Sequence, residues 1–313
     1  MQRWGFQPRL GYSMDADYYR GVIQACFPTL SVRSVVFLAE GWGSTAWEVN
    51  GDYVFRFPKR PEIAPGLLKE VRILPVLAGT LPLRIPEFRY VWRGGPQHEG
   101  LVVGYPKIPG VPMEAKHLAL AGVSRLARQL GEFLTALHSF PAQRAVALGV
   151  PQRSPAQWRR HHDTFYGTVR QRVFPLLGTQ ERRRNAEMWE GFLENEANFR
   201  FTPVLIHADL SGEHILFDPA NRSISGIIDW EDATVGDPAL DFTGLLGDYG
   251  RNLTLQVLAS YDGAADEGIV GRARFYDAIV PCYEVLYGLD VGLPHHVSSG
   301  LEGLRNVELR TQQ

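Results

Sequence analysis

Between Ile206 and Phe242 the chain reads I-H-A-D-L-S-G-E-H-I-L-F-D-P-A-N-R-S-I-S-G-I-I-D-W-E-D-A-T-V-G-D-P-A-L-D-F, which sets His207, Asp209, His214, Asp229, Asp237 and Asp241 around two short apolar runs. Acids beside apolar strands are costly unless they hold a metal, handle protons or are fully hydrogen-bonded. The run Val204 to Ile206 leads into His207-Ala208-Asp209, and a second run, Ile215 to Phe217, follows at once, so Asp209 and His214 stand at the two ends of one short loop. Ser225 to Trp230 reads as a third strand that delivers Asp229 beside them, with Asn221-Arg222 as the intervening turn. Two metal-binding groups and one candidate base would thus converge. Phosphoryl transfer needs these parts: a divalent cation to neutralise phosphate charge, and a carboxylate to orient and deprotonate the accepting hydroxyl.

Strands and helices must hold these groups in place. The first third of the chain is strand-like and the remainder mostly helical. Tyr18 to Cys26 suits a short helix, and Ser34 to Leu38, Ala46 to Val49 and Tyr53 to Phe57 read as successive strands. Turns containing Gly41, Gly43, Gly51 and Asp52 favour antiparallel hairpins. Leu67 to Ala78 has a helical period, with Pro75 predicted to kink or end it. Phe88 to Trp92 and Leu101 to Tyr105 are further strand candidates. Pro106 to Pro112 is a stiff, proline-rich crossing that marks the best domain boundary. Beyond it, Ala121 to His138, Trp158 to Leu177 and Arg182 to Phe199 are predicted helices, and the last 60 residues also look helical. His161 and His162 read as exposed helix residues rather than a metal site.

The catalytic loop has the spacing H-x-D with a further ligand five residues after the aspartate, and a second metal aspartate downstream. H-A-D-L-S-G-E-H-I-L-F and G-I-I-D-W-E-D-A-T-V-G-D-P-A-L-D-F resemble the aminoglycoside phosphotransferase family. The histidine in D-L-S-x-E-H-I-L is most similar to the aminoglycoside 2''-phosphotransferases, with macrolide phosphotransferases as close relatives. The resemblance implies an α+β, bilobal protein-kinase-like fold with a small antiparallel-sheet N-lobe and a larger, mostly helical C-lobe. It implies Asp209 as catalytic base, His214 and Asp229 as Mg²⁺ ligands, Asp237 and Asp241 as supports of the loop, and His207 as a structural residue that packs and bonds backbone. The corresponding division is a nucleotide-binding lobe over residues 1–104, a hinge over 105–110 and a C-terminal lobe over 111–313.

The upstream half fits the same resemblance. Glu40-Gly41-Trp42-Gly43-Ser44-Thr45-Ala46-Trp47 suits a glycine hairpin over nucleotide phosphates, with Gly41, Gly43, Ser44 and Thr45 in contact, because missing side chains let backbone N–H groups approach phosphate. By resemblance, Arg56 takes the place of the usual third-strand lysine, and Glu70 is its ion-pair partner. Lys59 competes for that role, but strand alternation and Pro58 favour Arg56. Arginine is a planar fork, so it can hold phosphates bidentately. Leu101 to Ile108 resembles a hinge where backbone groups near Tyr105 and Ile108 take the purine of ATP or GTP, both donors remaining open.

The acceptor is less legible. Glu231 and Asp232, with Glu284 and Tyr283 in a late helix, can form an acidic and aromatic wall for a cationic antibiotic. A macrolide, sugar or amino alcohol as acceptor, a transition-metal hydrolase built on His207, Asp209 and His214, and a non-catalytic kinase-fold binding module are the alternatives. The hydrolase explains neither the glycine hairpin nor the Arg56–Glu70 order. The binding module would normally lack Asp209 or Asp229. No Walker A motif is present.

Composition agrees with an enzyme for small molecules. The 313 residues, 45% hydrophobic, can bury two cores. A net charge of −2 provides no general field for nucleic acid, and Arg182-Arg183-Arg184 reads as a solvated helix face. Cys26 and Cys282 match no zinc or redox spacing and are expected as two buried thiols. The opening M-Q-R-W-G-F-Q-P has no apolar signal core and no run reaches the length of a membrane span, so a cytoplasmic monomer is expected, without membrane or nucleic-acid partners.

Overall fold

The computed structural model describes residues 15–41 and 43–306. Trp42 of the predicted glycine hairpin, the opening octapeptide and the last residues of the C-terminal helical stretch lie outside the described residues. The chain forms two compact units. The first takes in the chain up to Thr80, then Arg84–Pro109 and a returning segment, Gly226–Glu231; the second takes in Leu81–Leu83, Gly110–Ser225 and the chain from Asp232 onward. A linear cut at 104–110 therefore differs from the observed division, because the segment that carries Asp229 belongs to the first unit.

In the first unit, helix α1 (Ala16–Cys26) is capped by Asp15, whose carboxylate accepts the Asp17 N–H at 2.9 Å. Its buried residues Tyr19, Val22, Ile23 and Cys26 recur at helical spacing. They pack on a five-stranded antiparallel sheet of β1 (Val35–Glu40), β2 (Ser44–Val49), β3 (Tyr53–Pro58), β4 (Tyr90–Gly95) and β5 (His98–Pro106), in the order β1-β2-β3-β5-β4. Helix α2 (Ala64–Leu77) lies between β3 and β4 in sequence, with Pro75 inside its last turn rather than ending it. Strand β3 is buried along Val54-Phe55-Arg56-Phe57 because both its faces are covered. The period of two sends Phe55 and Phe57 into the core with α1 and Trp47. It sends Arg56 the other way, toward Glu70 on α2. Leu67 of α2 packs with Leu101 and Val103 of β5.

The second unit opens with β6 (Val111–Pro112), α3 (Ala115–Ala121), α4 (Val123–His138), α5 (Ala142–Ala147), α6 (Pro155–Arg172) and α7 (Thr179–Glu194). The helix predicted over 121–138 is α4, which starts at Val123 because Gly122, with a φ of 86°, lies outside the helical region. Strands β7 (Val204–Ile206), β8 (Ile215–Asp218), β9 (Ser223–Ile227) and β10 (Thr234–Gly236) bracket the motif residues, with β7 antiparallel to β10 and β6 antiparallel to β8. Helices α8 (Thr243–Ala259), α9 (Ile269–Val291) and α10 (Pro294–Arg305) complete the unit. The third strand predicted over 225–230 stops at Ile227, because Asp229 adopts a φ of 63°, which extended backbone does not allow. Cys26 and Cys282 are both buried free thiols.

An aromatic core of Trp158, Tyr166, Trp189, Phe192, Phe275 and Tyr276 joins α6, α7 and α9. His162 belongs to this core, which corrects its expected exposure, whereas His161 is exposed. Trp158 and Tyr166, four residues away on either side, share its face of α6 and carry it inward. His162 Nδ1 donates to the Trp158 carbonyl at 2.9 Å, and its ring stacks on Tyr276 at 5.3 Å. Burial pushes its pKa down from 6.5 to about 4. The unfolded chain therefore binds a proton between those values that the folded chain refuses, so stability falls as pH drops from 6.5 to about 4. The loss amounts to about 3 kcal/mol across that window. Denaturant unfolding at stepped pH should show that slope in the wild type and a flatter one in His162→Gln; matching slopes would contradict the assignment.

Candidate active site

The polar centre of the first unit is built around Arg56. Its Nη1 donates to both Glu70 oxygens at 3.0 Å, and its Nη2 reaches Asp229 Oδ1 at 3.1 Å and Glu231 Oε2 at 3.3 Å. The Ser44 hydroxyl accepts from Nε and Nη2 at 3.3 Å. Burial opposes the charge of Arg56, but Glu70, Asp229 and Glu231 hold its pKa above the ordinary range. Burial conversely pushes Glu70 up to about 7, against the pull of Arg56. Carboxylate oxygens of Glu70, Asp229 and Glu231 lie within 4.8 Å of one another, a concentration of negative charge that Arg56 offsets.

Asp229 is placed by backbone as well as by charge. Its left-handed conformation costs about 1–3 kcal/mol. Anchors on its N-terminal side hold it: Ile227 N–H donates to the Arg84 carbonyl at 2.8 Å, and Trp230 Nε1 donates to the Ile227 carbonyl at 3.2 Å. Lys59 is engaged elsewhere. It pairs with Glu40 and donates to the Gly41 carbonyl at 2.6 Å, and its N–H donates to the Gly43 carbonyl at 2.8 Å, tying the glycine hairpin to the end of β3. The Thr45 hydroxyl faces the α1 side of the sheet, accepting from Trp47 Nε1 at 3.2 Å. Tyr105 is buried against Phe88, and Ile108 is buried beside Gly226.

The second unit carries the loop from His207 to His214. Two N–H groups, of His207 and Ala208, donate to the Asp241 carboxylate at 2.9 and 2.7 Å, which holds Ala208 at a φ of 70°. Asp241 is fully buried and also meets His138 Nε2 at 3.1 Å, while His138 Nδ1 meets the Tyr261 hydroxyl at 2.7 Å. His207 is buried, and its Nδ1 accepts the Asp209 N–H at 3.3 Å. The Asp209 side chain, by contrast, is 50% exposed. His214 Nδ1 lies 2.7 Å from the Asp209 carbonyl and must donate to it. In the neutral ring this leaves Nε2 as the nitrogen bearing the lone pair, the tautomer a metal ligand needs.

The far end of the loop is fixed by Gly212, whose N–H donates to Asp248 at 2.7 Å, while the Tyr249 hydroxyl donates to the Met113 carbonyl at 2.7 Å. A Cβ on Gly212 would sit 2.5 Å from that carbonyl and 2.6 Å from the Tyr249 hydroxyl. Asp237 is buried next door, accepting from Arg272 Nε at 2.7 Å, Arg272 Nη2 at 3.0 Å, the Tyr276 hydroxyl at 2.7 Å and its own turn at Ala239 N–H, 3.0 Å.

Each residue expected at an acceptor wall has surroundings of its own. Glu231 lies on Arg56, where the guanidinium and the Lys69 ammonium, 2.6 Å from the Glu231 carbonyl, draw it inward. Asp232 is exposed. Glu284 faces His296 Nδ1 at 3.6 Å, and Tyr283 stacks on Phe165 at 4.1 Å. Sequence reasoning missed Lys69, His138, Asp248 and Arg272. Lys69 was signalled only by its adjacency to Glu70, and His138 by closing an amphipathic helix with a polar residue. Asp248 and Arg272 gave no local signal.

The first unit holds an acid-bound arginine, and the second an exposed, backbone-fixed aspartate loop. Residues 34–276 match the family model described as "Phosphotransferase enzyme family". The chain belongs to this phosphotransferase enzyme family. It is 30% identical over 263 residues to viomycin phosphotransferase of Streptomyces vinaceus, covering 82% of this chain and 88% of that protein. Among solved structures, the GDP and kanamycin complex of APH(2'')-IIIa aligns with a TM-score of 0.86 and 32% identity, over 93% of this chain and 98% of that one. A macrolide 2'-phosphotransferase, MphH from Brachybacterium faecium, shares the fold with a TM-score of 0.73 at 24% identity, over 93% of this chain and 98% of that one. The phosphotransferase is an enzyme with the protein-kinase-like fold of these relatives, an antiparallel sheet in its N-terminal part and helices in its C-terminal part. Among its described residues no helix is long and apolar enough to cross a membrane.

Proposed function

We propose that this phosphotransferase moves the γ-phosphoryl group of ATP or GTP, with Mg²⁺, to a hydroxyl of a cationic, aminoglycoside-type antibiotic. The reading rests above all on the Arg56 centre, where a buried guanidinium held by Glu70 meets Asp229 at 3.1 Å in a strained backbone. The first unit is the nucleotide-binding part. The glycine hairpin at Gly41 and Gly43, with Ser44 and the backbone of Thr45, cradles phosphate, and main-chain groups around Tyr105 and Ile108 take the purine. Arg56 binds phosphate oxygens while Glu70 fixes its fork. GDP in a solved relative favours GTP as a donor.

The Asp229 carboxylate suits a hard divalent cation. Asp229 offers a carboxylate 38% exposed, and the His214 tautomer leaves Nε2 with its lone pair, so these two are the residues that would hold it. Bound Mg²⁺ would neutralise the charge on the phosphates. Asp209 takes the proton from the acceptor hydroxyl, and the bonds from Asp241, His207 and Asp248 keep its loop from drifting. Asp237 supports that loop through its buried pair with Arg272. Asp232, Glu284 and Tyr283 stay candidates for acceptor contact in the second unit.

Viomycin is the second candidate acceptor, favoured by the 30% identity to its phosphotransferase. The enzyme is read as a cytoplasmic monomer without nucleic-acid partners. Nucleotide consumption, with ATP and with GTP in the presence of Mg²⁺, should rise above background when kanamycin or viomycin is added, and less with a macrolide, a simple sugar or an amino alcohol. Consumption that ignores every cationic antibiotic while responding to a macrolide or a sugar would sink the proposed acceptor class.

A further inference from the structure

Three features of the first unit attract anions: the glycine hairpin, the first turn of α2 and the Arg56 guanidinium. All three converge on one carboxylate of the protein itself. A Cβ placed on Gly43 would lie 2.8 and 3.1 Å from the two Glu231 carboxylate oxygens, and one on Gly66, in the first turn of α2, would lie 2.9 Å from Glu231 Cγ. Helix α2 has no side-chain cap and no acid in its own first turn, and Glu231 lies beside that turn. Arg56 Nη2 is 3.3 Å from Glu231 Oε2, and Lys69 Nζ pins the Glu231 carbonyl at 2.6 Å. Glycine at both positions leaves room for this approach, and a Cβ on Gly43 would also meet Ile63 Cγ2 at 2.7 Å.

Resting on the nucleotide-binding reading above, we propose that Glu231 is a phosphate stand-in. It competes with the nucleotide's phosphates for the glycine cradle and Arg56, and so sets how tightly the phosphate end of the donor is held. Binding then requires the Glu231 side chain to leave Arg56 while the main chain stays on Lys69. A carboxylate and a phosphate oxygen ask the same donors for the same charge-assisted bonds, so the exchange is chemically even. Removing the competitor's charge should favour the nucleotide.

Calorimetric titration with GDP, ADP, guanosine and adenosine in the presence of Mg²⁺, on wild type, Glu231→Gln and Glu231→Ala, tests this. GDP or ADP should bind the variants about fivefold more tightly, while the matching nucleoside binds as before. Three results overturn the proposal. Weaker diphosphate binding would make Glu231 a metal or phosphate-side ligand; equal gains for nucleoside and diphosphate would exclude phosphate mimicry; a lower melting temperature with unchanged diphosphate affinity would leave only a structural role. If wild type binds neither diphosphate, the nucleotide reading itself fails, a result distinct from the other three.

Discussion

Asp209→Asn is expected to lower kcat for phosphoryl transfer by about 10³-fold, within the range that a positioned base contributes. Asparagine keeps the shape of the side chain but cannot take the hydroxyl proton. The contacts that organise the loop run through the backbone of this residue: its N–H reaches His207 and its carbonyl accepts from His214. Both survive the substitution; the side chain is half exposed and its ion pair, Oδ2 to His214 Nδ1 at 3.3 Å, can be kept as a contact by the amide oxygen, so the fold has little reason to respond. The KM for nucleotide should stay within about threefold, the signature of a group that acts in the transition state. Steady-state kinetics alongside nucleotide titration separate the two. A variant with near-normal kcat would remove Asp209 from the mechanism.

The largest expected effect on stability lies one shell away, at Arg272. Its guanidinium bonds both oxygens of Asp237 and, through a second edge, both oxygens of Asp266. Asp237 and Arg272 are shielded from water, and burial already pushes the Asp237 carboxyl above its ordinary pKa. Arg272→Met leaves that carboxylate buried with only Tyr276 and a turn N–H, which should cost about 3–5 kcal/mol. Denaturant unfolding measures the loss. Adding Asp237→Asn should return part of it, because the orphaned charge is then gone; a loss under about 1 kcal/mol would show that the pair is not what holds this turn.

Much of the site was legible because phosphoryl transfer places distinctive residue types at short spacings. The Gly41–Gly43 hairpin, Arg56 and Glu70 follow one another in an order that strand alternation and a helix can bring together, and the structure joins Arg56 to Glu70. Strand alternation and Pro58 set Arg56 apart from Lys59, and the structure pairs Arg56 with Glu70 and Lys59 with Glu40. What escaped was tertiary. Asp229 was expected at the end of a strand, but an ionic network and a left-handed φ end that strand early, and no local pattern announces either. The apolar stripe predicted α4 to within two residues, but not the separate α3 before it. His162 reads as polar on a polar helix, yet it packs among aromatics from α7 and α9 that are remote in sequence. Glu231 beside Asp232 looked like an acidic surface, and only the structure shows the guanidinium that draws one of them inward.

The central claim is that this chain places a phosphate on an antibiotic hydroxyl with Asp209 as the base. Mass spectrometry of the antibiotic after incubation with enzyme, Mg²⁺ and GTP or ATP tests it most directly. Kanamycin or viomycin should gain the mass of a single phosphate with wild type, and remain unmodified over the same interval with Asp209→Asn. An antibiotic left unmodified by wild type while nucleotide is consumed, or modified equally by both proteins, would contradict it.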